Sequence, residues 1–375
     1  MEYTTSKQMN LRKMNRNRIY RLVYDSERIS KPDIAQKLGL SLPTVIQNVK
    51  DLQQAGLLEE GDAMESTGGR KAMAISCVKN ARYSIGIDIT KNQLSVVLIN
   101  LSADIISSIQ MTKPYENTPC YYTELGEIVR GLVSTAKIDE KHILGAGFSV
   151  PGAISEDGQM IVYSHVLEVS GLQCATVSRE IPYPTMFCND ANAAGIAEMW
   201  SAKFIRNAVY LSLSNTVGGS IILDNKLYLG ENQRGGEFGH MTLVQGGLAC
   251  YCGRKGCADS YCSAQVLSRH TGGNLKLFFE RLENDDPSLL EIWRQYLSYL
   301  TTLINNLTVA FDCNIILGGY VGVHLDKFIG NLKKKVADIN LFSGNEEYIQ
   351  ACKYKYEAAA VGAALLYIQP FLRQI

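Results

Sequence analysis

The chain has 375 residues, 46% of them hydrophobic, and its 37 Lys and Arg balance 37 Asp and Glu. That length holds two or three domains with a sizeable core, and the even charge excludes a whole-chain attraction to nucleic acid or membrane, so any such partner must be met locally. Apolar runs such as 358–368 are too short to span a bilayer and the start MEYTTSKQMN is polar, so a cytoplasmic protein with no membrane attachment is expected. Ten cysteines, four of them crowded between 250 and 262, suit a reducing compartment rather than a disulfide scaffold.

The first segment is basic: Lys7, Arg12, Lys13, Arg16, Arg18 and Arg21 stand against Glu2 alone. It runs into a helical pattern with Ile19, Leu22 and Val23 on one side. Ser30 is placed to cap the next helix with Pro32 in its first turn, and Gly39 ends it. Ser41 caps another, with Pro43 early in it. Two short helices joined through Gly-Leu-Ser make a helix-turn-helix, packed through Ala35, Leu38, Leu40, Val45, Val49 and Leu52. Thr44, Gln47, Asn48 and Lys50 are then left on the outer face of the second helix, beside its cap Ser41, as candidate DNA contacts. A plain helical hairpin with a solvated polar face is the alternative. The strand pattern AGLLEE, the loop GDAMESTGGRKA and a return strand at 73–78 supply the wing of a winged helix, with Arg70 at its tip placed to enter a minor groove.

From Tyr83 the pattern changes to strands: YSIGIDIT, QLSVVLIN and ADIISSIQM, then an amphipathic helix near 122–136 and a buried strand at 143–150. Asn189 and Asp190 follow at a strand end that opens a helix, where a helix cap is the plainer reading. The stretch GGEFGHMTLVQGGLACYCGRKGCADSYC then sets His240 against Cys250, Cys252 and Cys257, around Gly253 and Gly256. Three thiolates and an imidazole are the ligand set of a closed structural zinc site; free thiols or a disulfide in a Gly-rich loop are the alternatives. Cys262 is left over as a small buried residue. The stretch 287–311 reads as a core or dimer helix, and EAAAVGAALLYI as a closely packed last helix.

GEFGH followed by CYCGRKGC resembles the signature of the ROK family of repressors, uncharacterised reading frames and sugar kinases, and the LGLS turn and STGGR loop resemble the DNA-binding module of its repressor branch. The resemblance implies an α/β protein: a winged helix-turn-helix at 1–78, then a two-lobed actin-like, hexokinase-like fold with its lobes at 79–188 and 189–375 and a structural Zn2+ loop at 240–257. It assigns sugar contacts to Gly152, Asn189, Asp190, Glu237, His240 and Asp259, with Asp190 in the place of the kinases' general base and Asp259 where the family has Glu.

The family's phosphate loops are eroded. Where its kinases read D-x-G-G-T-K, this chain has Asp88, Ile89, Thr90, Lys91, Asn92 and Gln93; where they read G-T-G-x-G-G-G, it has Ser214 to Ser220 as SNTVGGS. The glycines of NIILGGY remain, but two glycines after a strand are ordinary α/β architecture. The expectation is a regulator of carbohydrate genes, binding a pseudo-palindromic operator as a homodimer or tetramer and answering to a sugar or sugar phosphate, with ATP not among its ligands. Two alternatives stay open: an active ATP-dependent sugar kinase carrying a DNA module, and a DNA-binding protein whose pocket binds nothing.

Overall fold

The structure, a computed structural model, describes residues 2–63, 72–202, 205–341 and 346–375. The chain begins with a helix, α1 (Glu2–Ser26), followed by the two-residue strand β1 (Ile29–Ser30), α2 (Lys31–Leu38) and α3 (Leu42–Gln54). Ser30 Oγ accepts the Asp33 N–H and Ser41 Oγ the Thr44 N–H, while Gly39 takes φ 63° after α2, so both caps and the stop fall where the side chains favour them. The wing strands are β2 (Leu58–Ala63) and β3 (Met73–Cys77), and β3 lies between β1 and β2. Residues 64–71 between them lie outside the described residues, and the expectation for Arg70 lies there.

Two five-stranded sheets of one design follow. The first contains β4 (Tyr83–Ile89), β5 (Gln93–Asn100), β6 (Ile105–Thr112), β7 (Ile143–Val150) and β11 (Thr185–Asn189) in the order β11-β7-β4-β5-β6. The second contains β12 (Ala208–Leu213), β13 (Val217–Leu223), β14 (Lys226–Tyr228), β15 (Asn314–Gly318) and β16 (Ile349–Ala351) in the order β14-β13-β12-β15-β16. In both, a three-strand antiparallel meander is extended by two parallel strands. Helix α4 (Pro119–Ala136) covers the first sheet with Tyr121, Leu125, Val129 and Leu132. A small antiparallel sheet of β8 (Ala153–Ile154), β9 (Met160–Ser164) and β10 (Val169–Gln173), followed by the single turn α5 (Cys174–Val177), hangs beside it.

Between the sheets run α6 (Asp190–Ser201) and α13 (Ala358–Gln374). Although α13 comes last in the chain, it lies on the first sheet at van der Waals distance: a Cβ on Gly86 would stand 1.8 Å from the Ala360 carbonyl oxygen, and one on Gly147 1.9 Å from that of Ala363. Gly362 is pressed equally closely on the Ala193 carbonyl of α6. This is the physical reason for the small-residue run in EAAAVGAALLYI.

The second sheet is covered by α10 (Pro287–Phe311), whose Trp293, Tyr296, Leu300, Ile304 and Leu307 are buried. The core part of the reading for 287–311 therefore holds. Around it lie α7 (Asp259–Cys262), α8 (Ala264–Ser268), α9 (Leu275–Glu283), α11 (Gly319–Gly322) and α12 (Ile329–Ala337). No helix is long and apolar enough to cross a membrane among the described residues.

The winged helix is not tethered by a bare linker. Ile19, Tyr20 and Val23 of α1 share one buried cluster with Val97 and Ile99 of β5 and with Val361, Leu365 and Ile368 of α13. Asn17 Nδ2 donates to the Leu372 carbonyl at 2.5 Å, and Tyr24 meets Trp200, near the end of α6, edge to face at 6.2 Å.

Candidate functional site

On α3 the buried stripe is Val45, Asn48, Val49 and Leu52, spaced i, i+3, i+4, i+7. Asn48 is therefore buried, only 5% exposed, and its Nδ2 donates to the Thr44 carbonyl at 2.7 Å. This corrects its expected place on the outer face: the phase of the helix, not the polarity of the side chain, decides which way position 48 points. Ser41, Gln47 and Lys50 are exposed and Thr44 partly so. Ser41 is bonded to Thr44, and the Gln47 amide donates to Asp51 Oδ1 at 2.8 Å. Leu42 and Ile46, at 42% and 47% exposure, share that face. Ile46 was not among the expected contacts, and its exposed apolar side chain is of the kind that can meet a thymine methyl group.

The main cavity, about 730 Å³, opens between the two sheets and is of the size that holds a small ligand. Gly152, Asn189, Asp190, Glu237 and His240 all line it. Gly152 is required by close approach, because a Cβ there would meet the Tyr163 carbonyl at 2.6 Å. Asn189 serves twice: its Oδ1 caps α6 at the Asn192 N–H, 3.1 Å, and its Nδ2 holds the Gly152 carbonyl at 3.2 Å. Asp190 opens α6, and burial raises its pKa from 3.8 to about 6, with Glu237 adding to the rise. Gly236 and Gly239 dock the GEFGH turn on β13, since side chains there would strike the Gly219 and Val217 carbonyls.

Asp259 is brought near but not into this group. It is 7% exposed, does not line the cavity, and its Oδ1 accepts the Val217 N–H at 2.6 Å. Fixed at the start of α7, its carboxylate is engaged by the amide of Val217, itself a cavity-wall residue.

The thiol cluster forms as expected. Ligand atoms of His240, Cys250, Cys252 and Cys257 lie within 4.8 Å of one another, so together they can hold a metal ion. Cys252 and Cys257 sulfurs are 3.7 Å apart, far beyond a disulfide bond, and the cysteines are free. Gly253 and Gly256, at φ 85° and 83°, make the reversals that aim the sulfurs inward. Burial pushes the Cys257 thiol up to about 12, whereas the Arg254 backbone N–H holds Cys252 down to about 6. A cation offsets such burial by favouring the thiolates. His240 turns Nδ1 toward Cys250 Sγ, 3.9 Å, leaving Nε2 for the cavity side. Cys262 is fully buried.

The eroded phosphate loops are closed on themselves. The Thr90 N–H is bonded to the Gln93 carbonyl and the Gln93 N–H to Thr90 Oγ1, so these two backbone donors are engaged within the turn. Lys91 Nζ pairs with Glu168 at 3.0 Å and Lys355 with Asp326 at 2.6 Å. In the second loop the Val217 N–H is taken by Asp259, and the Gly319 N–H by Tyr210 Oη at 3.1 Å. The space these residues leave is about 90 Å³. Gly318 is explained by packing, since a Cβ there would overlap the Tyr210 ring.

Four aromatic residues in the cavity wall were not singled out by sequence reasoning: Tyr163, His165, Phe187 and Tyr251. Tyr251 alone carried a signal, standing between two of the zinc-motif cysteines.

Residues 84–370 match the model of the ROK family, and residues 15–59 that of a winged helix-turn-helix DNA-binding domain. The chain is 24% identical to the xylose repressor of Bacillus subtilis (strain 168) over 97% of both proteins. It is 22% identical to the DNA-binding transcriptional dual regulator NagC of Escherichia coli (strain K12), over 75% of this chain and 70% of that one. Among solved structures, a ROK family transcriptional regulator, a homologue of the E. coli MLC protein, superposes with a TM-score of 0.75 at 18% identity, covering 97% of each chain. A ROK family glucokinase from Streptomyces griseus, solved with glucose and AMPPNP, superposes with a TM-score of 0.63 at 22% identity, covering 76% of this chain and 99% of that one.

Proposed function

The chain belongs to the ROK family, and from that premise we propose that it is a sugar-responsive transcriptional repressor of carbohydrate-utilisation genes, binding operator DNA through α2, α3 and the wing. The observation that carries this reading is the contrast between its two ligand regions. The sugar side keeps a cavity of about 730 Å³ lined by Asn189, Asp190, Glu237 and His240, while the phosphate side is reduced to about 90 Å³, with the Thr90, Val217 and Gly319 amides and both Lys91 and Lys355 bonded within the protein. Asp190 remains as an acceptor for a sugar hydroxyl, beside a phosphate side too narrow to seat a phosphoryl donor opposite it.

The cavity's charge narrows the effector class. Glu156, Asp190, Glu231 and Glu237 line it and no Lys or Arg does, among the described residues. Four carboxylates favour a neutral polyol and repel a phosphate. With a relative named for xylose, D-xylose is the first sugar to test. His240, Cys250, Cys252 and Cys257 would hold Zn2+, which fixes the His240 ring and tautomer for the sugar. Binding as a homodimer or tetramer to a pseudo-palindromic operator completes the proposal.

The route from sugar to DNA runs along α6. Its first turn carries Asp190 in the cavity, its last turn is fastened where Glu198 accepts the Lys353 and Tyr354 N–H groups, and Trp200 in that same turn meets Tyr24 of α1. A sugar that prefers one lobe arrangement biases the winged helix by that preference and no more. Fluorescence anisotropy of labelled DNA from upstream of this gene, titrated with protein and then with D-xylose, other aldoses and their phosphates, tests the reading. The expected result is a severalfold loss of DNA affinity with one neutral sugar. A protein that binds DNA but ignores every sugar, or that releases ADP from ATP with one of them, overturns it.

A further inference from the structure

His240 Nε2, the ring nitrogen turned away from the thiol cluster, is 3.3 Å from Tyr251 Oη. The two rings meet edge on at 5.3 Å. On its other side Tyr251 is stacked on His165, 4.9 Å between centroids and 11° from parallel, and His165 Nδ1 is 3.2 Å from Tyr163 Oη. Tyr251 belongs to the thiol loop beside the second sheet, whereas Tyr163 lies on β9 and His165 just after it, beside the first. All three line the sugar-side cavity. One tyrosine therefore joins the nitrogen meant for a ligand to an aromatic contact that bridges the lobes.

Resting on the sugar-sensing reading above, we propose that Tyr251 is a built-in competitor for the sugar: its hydroxyl holds the His240 nitrogen that a sugar hydroxyl needs, and its ring, stacked on His165, ties the lobes together until the sugar displaces it. The chemistry is a matter of counting donors. With Nδ1 given to a metal held by the cysteines, the single imidazole proton would sit on Nε2, and one N–H serves one acceptor well. A sugar hydroxyl arriving there has to take that bond from Tyr251. The exchange sets a threshold for sugar binding and, because the ring leaves His165 with it, loosens the bridge between the lobes.

Isothermal titration calorimetry of D-xylose into the full-length, metal-loaded protein and its Tyr251→Phe variant separates the possibilities. Phenylalanine keeps the stack but removes the competing hydroxyl, so the dissociation constant is expected to fall roughly 2- to 10-fold, the worth of one neutral hydrogen bond. His165→Ala, which frees the ring from its stack, is expected to act in the same direction by about 2-fold. Metal content per chain and thermal melting report on folding in both variants. Unchanged or weaker xylose binding in Tyr251→Phe, or weaker binding in His165→Ala, overturns the proposal and leaves the sugar-sensing reading standing. If the unaltered protein binds neither xylose nor any other aldose, the sugar-sensing reading falls and this proposal falls with it.

Discussion

Asn48 and Lys50 are separated by two positions on α3 and differ entirely in what they can do. Asn48 lies on the buried stripe, holding the Thr44 carbonyl, and Lys50 stands in solvent. Asn48→Ala is expected to destabilise the winged helix by about 1 kcal/mol in thermal melts while leaving base preference unchanged. Lys50→Ala is expected to weaken all DNA sequences alike and to reduce the slope of log affinity against log salt by about 1. Asp88 offers a pH test. It is 8% exposed, with Ser149 Oγ donating at 2.6 Å, and burial raises its pKa from 3.8 to about 7. The folded protein thus holds this proton more tightly than the unfolded chain. Its stabilising contribution is complete below 3.8 and lost as pH rises through about 7. Asp88→Asn, which carries no charge to bury, is expected to melt about 2 °C or more above the unaltered protein at pH 8, the gap closing as the pH is lowered toward 4.

At the scale of elements, the thiol loop and the last helix are held by different forces. Residues 240–257 are folded by turn and bridge hydrogen bonds such as Leu243 N–H to the Gly256 carbonyl and Cys250 N–H to the Arg254 carbonyl, and a Zn2+ held by His240 and the three cysteines would tie the loop further. Removal of metal by a chelator is expected to lower the melting temperature by several degrees and to weaken sugar binding about tenfold or more, because His240 loses its fixed orientation. Melting curves and calorimetry before and after restoring Zn2+ check both. Helix α13 depends instead on the absence of side chains beneath it. Gly147→Ala places a methyl group 1.9 Å from the Ala363 carbonyl, where backbone has to move. A loss of roughly 3 kcal/mol in urea unfolding is expected, and near-neutral behaviour would mean that the helix is free to shift.

For the molecule as a whole, the contact on the proposed route is Tyr24 against Trp200, supported by Trp200 Nε1 donating to the Ser102 carbonyl at 3.4 Å. It joins the helix that starts at the sugar cavity to the helix that carries the DNA-binding head. Trp200→Ala is expected to keep DNA affinity and sugar affinity within about 2-fold each. The sugar-dependent change in DNA affinity, ordinarily about 5- to 150-fold for such coupling, should be lost. Anisotropy titrations with and without sugar measure all three quantities on one sample. A Trp200→Ala protein that responds normally would place the coupling elsewhere, in the shared cluster of α1 and α13.

Much of this architecture is determined by local chemistry. Ser30, Gly39 and Ser41 mark the helix ends because capping acts within three residues; His240 and the cysteines declare a metal site because ligand type and tight turns are written side by side. The loss of glycine at 88–93 and 214–220 likewise announces eroded phosphate loops before any geometry is known. What only the folded chain decides are relations across long separations. Asp259 could be aimed at a sugar or at the Val217 amide, and only the placement of α7 under β13 settles it. Asn48 is polar in sequence and buried in fact. The stacking of Tyr251 on His165, 86 residues earlier, and the docking of α1 against α6 and α13 leave no trace in local pattern. Capping and ligation act between near neighbours, but the meeting of two lobes and a head is decided by the packing of whole surfaces.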